Sequence, residues 1–579
     1  MQLTTLDWSI IAAFFIVSLI IGIVVSRKAG SSSAEFFLSG RNMPWWLLGI
    51  SMVATTFSAD TPNLVTDIVR KNGVSGNWVW WAFLLTGMLT VFVYSKLWRR
   101  SGVLTDLEFY EIRYGGKSAA LLRGFRALYL GVFFNVMIMA TVCLAAIKIG
   151  GVMLGLTAIQ TLTIASVVTV LYSSLGGLRG VLITDFFQFI LAMVGTVWAA
   201  NLLLDLPQVG GLENLLANKE VVSLTNFLPD FSDTESLIPL LIIPLAVQWW
   251  SVWYPGAEPG GGGYIAQRML AAKDEQNAMG ATLLFNISHY ALRPWPWIII
   301  ALCSVVVFPN LESIQQAFPH IDASIINDDL AYPAMLTFLP AGLLGLVIAS
   351  LVAAFMSTIS THLNWGSSYV VNDFYQRFIK PDASEKELVL VGRVSTVLLM
   401  LFAALFALAL TNALQAFQIL MQIGAGTGLI FILRWFWWRI NAWTEISGMV
   451  ISFIVAVVLE VVAPELVPAN YKLVVGVAIT TIGWLTVTFL TQPETEETRN
   501  GFCERVNPTV GWKNYRSGTV STTGNLPLQI LGMFLGCTVV YSALFATGSF
   551  IYGNLMLGLA LTVVSVLSIG ILYSIWRRL

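Results

Sequence analysis

Residues 51–69 read SMVATTFSADTPNLVTDIV. The stretch is apolar enough to enter a bilayer, yet small and polar residues and Pro62 interrupt it near its middle, with an acid, Asp60, in the interruption. Proline lacks the helical N–H and crowds the preceding turn, so the pattern predicts two half-helices meeting inside the membrane. A second stretch, residues 249–268, reads WWSVWYPGAEPGGGGYIAQR; Pro255, Gly256, Pro259 and Gly260 to Gly263 cannot continue a regular helix. Single kinks are common in packed membrane helices. Two interruptions at corresponding places in two halves of one chain instead point to a site built from discontinuous helices.

Composition supplies the membrane. Of 579 residues, 57% are hydrophobic and 11% charged, with a mean hydropathy of +0.77, far outside the globular range. Apolar windows of about 20 residues recur about fifteen times, and the two interrupted ones stand second and seventh. That odd offset gives units starting at these spans opposite orientations, as in inverted repeats. Cations gather in alternate loops: Arg27, Lys28 and Arg41; Arg99, Arg100, Arg113, Lys117 and Arg123; Arg268 and Lys273; Arg377, Lys380 and Lys386; Arg434 and Arg439. The excess marks the cytoplasmic side and predicts a multi-pass cell (inner) membrane protein with its N-terminus outside and its C-terminus, with Arg577 and Arg578, inside. Arg70 and Lys71 are the exceptions. The N-terminal apolar run lacks a basic region and a cleavage site and reads as a retained span.

A net charge of −1 without a basic patch speaks against nucleic acid. Cys143, Cys303, Cys503 and Cys537 lie far apart without metal spacing and read as packing residues. Residues 492–525 are too few and too polar for a catalytic domain. With no nucleophile–base pair, ligand spacing or cofactor loop, the expectation is a protein that is not an enzyme and needs no organic cofactor.

Residues 351–374, LVAAFMSTISTHLNWGSSYVVNDF, crowd hydroxyls into a membrane span. Ala354, Ser357, Thr358 and Thr361 follow helical i, i+3, i+4, i+7 spacing and share a face, with Ser360 and Asn364 alongside. Such oxygens, joined to carbonyls freed by a helix break and to one carboxylate, suit a hard monovalent cation; equally, Ser and Thr in membrane helices bond back to their own backbone or pack closely. Asp60, Asp185, Lys148, Glu258 and Arg293 fall at or near membrane depth, where charge is costly and often functional. Lys148 is equally a snorkelling or paired cation, Glu258 reads as a loop anchor, and His289, His320 and His362 as hydrogen-bonded residues without ligand spacing.

LYSSLGGLRGVLITDFFQ (171–188), together with SMVATTFSAD, YIAQRMLAAKD and AAFMSTISTHLNWGSSYVVNDFY in the same order, resembles the sodium:solute symporter family, whose members carry sugars, proline and sialic acid with sodium. The resemblance implies a bacterial member with an all-α, LeuT-type fold of two inverted five-helix repeats. It divides the chain into 1–44 (first span), 45–236 (first repeat and outer loop), 237–441 (second repeat), 442–491 (flanking spans), 492–525 (cytoplasmic linker) and 526–579 (C-terminal spans).

Carried over, the family's conserved sodium site would comprise backbone oxygens of Ala54, Phe57 and Ala354 with the hydroxyls of Ser357 and Thr358. A second sodium site would comprise Asp185, Ser357, Ser360 and Thr361, so one or two Na⁺ are expected to be transported. The solute would lie among Thr56, Asp60, Thr61, Trp80, Trp81, Gln248, Trp249, Trp253 and Arg293, with Gln418 and Gln422 in span 11. Arg293 falls near the sugar transporters' sugar-contacting lysine, whereas Thr61 replaces their glutamine and tryptophans stand where they carry a carboxylate. The expected function is Na⁺-coupled import of a small polar organic solute by alternating access, a sugar or sugar derivative being favoured over an amino acid or betaine. The more remote alternative is a sensor on a transporter scaffold. The expected partners are solute, Na⁺ and the lipid bilayer, with one chain sufficient for transport.

Overall fold

Backbone groups find no water in a bilayer core, so a chain this apolar satisfies them within helices. The computed structural model of the chain describes all residues except 1–2, 30–31, 253–257, 411–419, 509, 513–514 and 516–524. The regular elements among the described residues are helices, and an isolated bridge pairs Met43 with Ala272. Ten described helices are long and apolar enough to cross a membrane, against the fifteen spans expected. Four more expected spans are shorter apolar helices: Thr5–Ile21, Trp45–Thr56, Ala158–Leu171 and Thr234–Trp250. The span expected over 413–434 falls partly on undescribed residues, and its described end holds the short helix Gly428–Leu433.

Both interruptions are present. The first span divides into Trp45–Thr56 and Asp60–Asn72. Across the turn the Phe57 N–H reaches back three residues to the Ala54 carbonyl at 3.1 Å, which leaves the Val53 and Thr55 carbonyls open to side chains. The second divides into Thr234–Trp250 and Gly263–Ala271. Gly260 and Gly261 precede its second half at φ +85° and +93°, a left-handed backbone that glycine adopts at little cost. Gly177, at φ +54°, likewise splits the long run Ala158–Leu204 where the sequence separates two spans.

The hydroxyl-rich helix runs through Leu343–Ser368. Its most apolar window is 89% buried by protein, against 22% for the C-terminal Leu555–Arg578 helix, so the hydroxyls line the centre of the bundle and the last spans flank it. Leu526–Ile551 joins that flank to the core: the Tyr541 hydroxyl donates to the Trp81 carbonyl and the Trp295 indole to the Leu544 carbonyl, both at 2.8 Å. Within the segment 492–525, Glu496–Val506 forms a helix that the sequence reading did not anticipate. It docks through Arg505, whose Nε donates to the Ser101 carbonyl at 2.7 Å.

Several cations read as loop charges are folded inward. Arg113 and Arg268 are fully buried and Arg434 nearly so. Arg123 holds Asp373 at 2.7 Å and Glu111 at 2.6 Å, and Arg126 holds Glu258, the acid expected to anchor its loop. Toward the other end, Lys148 pairs with Asp329 and Arg70 with Asp328, each at 2.7 Å. Lys148 is thus a paired cation, and Arg70 departs from the charge pattern because an acidic loop receives it.

Candidate functional site

A cavity of about 140 Å³ opens where the first broken span faces the hydroxyl helix and the helix carrying Arg293. Of the residues expected to hold solute, Thr56, Asp60, Thr61, Trp80 and Arg293 line it. Trp81, Gln248, Trp249 and Gln422 do not. Trp81 turns away to pack on Trp78 and Phe545, because successive helical residues cannot share a face. Gln248 donates to the Val79 carbonyl, the Trp249 carbonyl accepts from Thr86, and Gln422 donates to the Lys472 carbonyl at 3.2 Å. These polar groups fasten helices together. Trp253 and Gln418 lie outside the described residues.

The sequence reading missed cavity residues supplied by other helices: Phe83, Thr141, Tyr264, His289, Tyr290 and His362. Tyr264 opens the YIAQRMLAAKD motif, and the two histidines carry only the hydrogen-bonding expectation, which they meet. His362 Nδ1 lies 2.7 Å from Asn135 Oδ1, and His289 bonds Arg293. Among the described residues no group of His, Cys, Asp and Glu could hold a metal ion.

Within the cavity Arg293 is buried and Asp60 half-buried, without bonding each other. The Arg293 guanidinium donates to His289 and, at 3.4 Å, to the Val53 carbonyl freed by the break. It stands 5.2 Å from the Trp297 ring centroid and 5.9 Å from that of Phe57. Arg293 Nε and Asp60 Oδ1 have no protein partner. Leaving such groups unpaired in a protein interior is expensive, and both residues line the cavity. The Trp80 indole bonds Asn77 at 2.8 Å and stacks beside Tyr290 with centroids 5.8 Å apart, giving the cavity a fixed aromatic wall.

Of the first expected cation set, Thr358 and Ala354 come together beside the broken span, whereas the Ser357 hydroxyl donates to Asp185 and the Ala54 carbonyl accepts from the Phe57 N–H. The Thr358 hydroxyl donates to the Thr55 carbonyl at 2.7 Å and contacts the Ala354 carbonyl at 3.1 Å. One side chain thus ties the broken span to the hydroxyl helix. Thr55, absent from the expected ligands, contributes twice, since its own hydroxyl lies 3.0 Å from that of Thr361. The signal was its place in the turn, directly beside Ala54. The Phe57 ring packs with its centroid 5.0 Å from that of Trp297.

The second expected cation set is differently built. Both Asp185 oxygens accept hydroxyls, from Ser51 at 2.5 Å and Ser357 at 2.6 Å. Ser360 bonds back to the Ser357 carbonyl at 3.1 Å. Thr361 accepts from Arg268 at 2.8 Å. Ser51 and Arg268 were not expected here.

Comparison with known proteins agrees with this architecture. The chain is 25% identical over 472 residues to a sodium/glucose cotransporter of Vibrio parahaemolyticus, covering 79% of this chain and 86% of that one. It is 26% identical over 481 residues to a sodium/mannose cotransporter of Bos taurus, covering 78% and 79%. It is 27% identical over 545 residues to sodium/myo-inositol cotransporter 2 of Oryctolagus cuniculus, covering 85% and 77%. Among solved structures, a substrate-bound, outward-open Na⁺-coupled sialic acid symporter superposes with a TM-score of 0.65 at 20% identity, covering 85% of this chain and all of the other, which shows a shared LeuT-type fold. The model of the sodium:solute symporter family matches residues 36–452. This multi-pass membrane protein, a Na⁺-coupled solute symporter and not an enzyme, belongs to the sodium:solute symporter family.

Proposed function

We propose that the chain imports a small polar organic solute, a sugar or sugar derivative, held in the cavity between the broken spans and driven by Na⁺ bound at Ala54, Phe57, Ala354, Ser357 and Thr358. The observation that carries this reading is the Thr358 bridge from the hydroxyl helix, where it also contacts the Ala354 carbonyl, to the Thr55 carbonyl at the break. A cation drawn to the same oxygens would hold the two elements together and favour one state of the carrier. Solute and sodium affinities then rise together, because coupling between two sites is reciprocal. The broken spans head two repeats, 45–236 and 237–441, that move against each other, with the N-terminus outside the cell membrane and the C-terminus inside.

The sugar reading draws on the relatives named for glucose, mannose and myo-inositol, and on the Trp80 wall, which suits the apolar face of a ring. Asp60 would accept from ring hydroxyls and Arg293 donate to them. A second reading, a dipolar solute such as an amino acid or betaine, is favoured by one observation: an acid, Asp60, and a base, Arg293, line the same cavity without bonding each other. Uptake into proteoliposomes along a Na⁺ gradient, across a panel of sugars, sugar acids, amino acids and betaines, decides between them. Accumulation of one class that collapses when K⁺ replaces Na⁺ is the expected result; no Na⁺-dependent accumulation of any solute would sink the assignment.

A further inference from the structure

The second expected sodium site already contains a cation. Arg268, in the inner half of the second broken span, reaches Thr361 with Nη2 at 2.8 Å and Ser51 with Nη2 at 3.1 Å and Nε at 3.3 Å. Its Nη1 donates to the Gln267 side chain at 3.0 Å. Its Nη2 stands 3.9 Å from Asp185 Oδ2, and both charged side chains have no solvent exposure. Asp185 is therefore not an orphan carboxylate awaiting an ion. Its two oxygens are taken by Ser51 and Ser357, and its charge is balanced by a guanidinium bonded to the same Ser51.

We propose that Arg268 is a tethered cation in the place of a second Na⁺, so that the carrier couples solute movement to a single Na⁺ at the Thr358 cluster. This deepens the sodium-coupled reading above and rests on it. A buried carboxylate needs a counter-charge, and a covalently held guanidinium supplies one without leaving. A sodium ion added here would sit against a like charge in a poorly screened interior and would compete for the Thr361 oxygen that already accepts from Arg268. The tether also sets geometry: Arg268 gathers the first broken span through Ser51, the hydroxyl helix through Thr361 and the second broken span through its own backbone. Gln267 reinforces the junction by donating to Asn364 at 2.9 Å.

The test measures binding of radioactive Na⁺ to the purified full-length chain, with no solute present, in the wild type and in Asp185→Asn, Arg268→Gln and the double variant. The expected result is a non-cooperative isotherm with the same amount of Na⁺ bound per chain in the wild type and in Asp185→Asn. Removing Arg268 alone exposes Asp185 and doubles the bound Na⁺, and adding Asp185→Asn returns it to the wild-type amount. Wild-type binding that halves in Asp185→Asn overturns the proposal, and this comparison stands even where Arg268→Gln does not fold. An Arg268→Gln protein that folds but binds no additional Na⁺ overturns it as well. Absence of Na⁺ binding in every variant removes the sodium-coupled reading first and this proposal with it, which distinguishes the two failures.

Discussion

Two oxygen-rich clusters sit about one turn apart on the Leu343–Ser368 helix, and they are built on opposite principles. Around Thr358 the oxygens come from a hydroxyl and from the Thr55 and Ala354 carbonyls, without a charged side chain bonded to them. Around Thr361 a carboxylate and a guanidinium, both fully buried, face each other across one shared hydroxyl, that of Ser51. A neutral set of oxygens gains a favourable partner when a cation arrives, whereas a charge-balanced set gains nothing from one. Hydroxyl spacing alone does not separate the two cases. The difference lies in what neighbouring helices bring to each cluster.

The largest expected effect breaks the charge balance. Arg268→Gln leaves Asp185 buried without its cation and should cost about 3–5 kcal/mol of stability in K⁺, recovered in large part by the Arg268→Gln/Asp185→Asn double variant; thermal unfolding of the purified proteins in K⁺ and in Na⁺ reads both. Equal losses in single and double variants would show that the pair is not coupled. At the neutral cluster the effect moves from stability to sodium. Thr358→Ala should raise the half-saturating Na⁺ for uptake roughly 10- to 100-fold, the range of a hydrogen-bonding group facing a charge, and an unchanged value would remove Thr358 from the site.

A smaller effect separates cavity from cluster. Asp60→Asn should weaken solute binding roughly tenfold, as expected for one hydrogen bond to a charged group, read as a rise in the KM for solute at saturating Na⁺. A KM that does not move would place the solute elsewhere. The smallest concerns adjacent tryptophans. Trp81→Phe should cost about 1 kcal/mol of stability and leave the solute KM unchanged, while Trp80→Phe should shift the KM; the reverse pattern would invert the assignment of wall and packing residue.

Much of this was legible in the chain. Pro62 and Asp60 marked the first break, the proline and glycine run marked the second, and the hydroxyl-rich spacing marked the helix whose Thr358 meets the break. Local rules govern these features: proline and glycine act on their own turn, and helical period acts within one helix. Other readings failed because they depended on partners remote in sequence. Arg268 reads as a loop cation beside Lys273, yet it lies fully buried against residues from three other segments. Gln248 and Gln422 read as solute ligands, but neighbouring carbonyls claim them.

By itself, then, the sequence determined that the chain lives in a membrane, where two of its spans must break, and which helix carries the hydroxyls, because hydropathy, backbone conformation and helical period are properties of short segments. Tertiary structure alone decided which of those hydroxyls meet open carbonyls and which meet a built-in charge pair. That outcome depends on how helices far apart in the chain pack, since electrostatic balance in a buried site is a sum over every side chain the fold brings within a few ångströms.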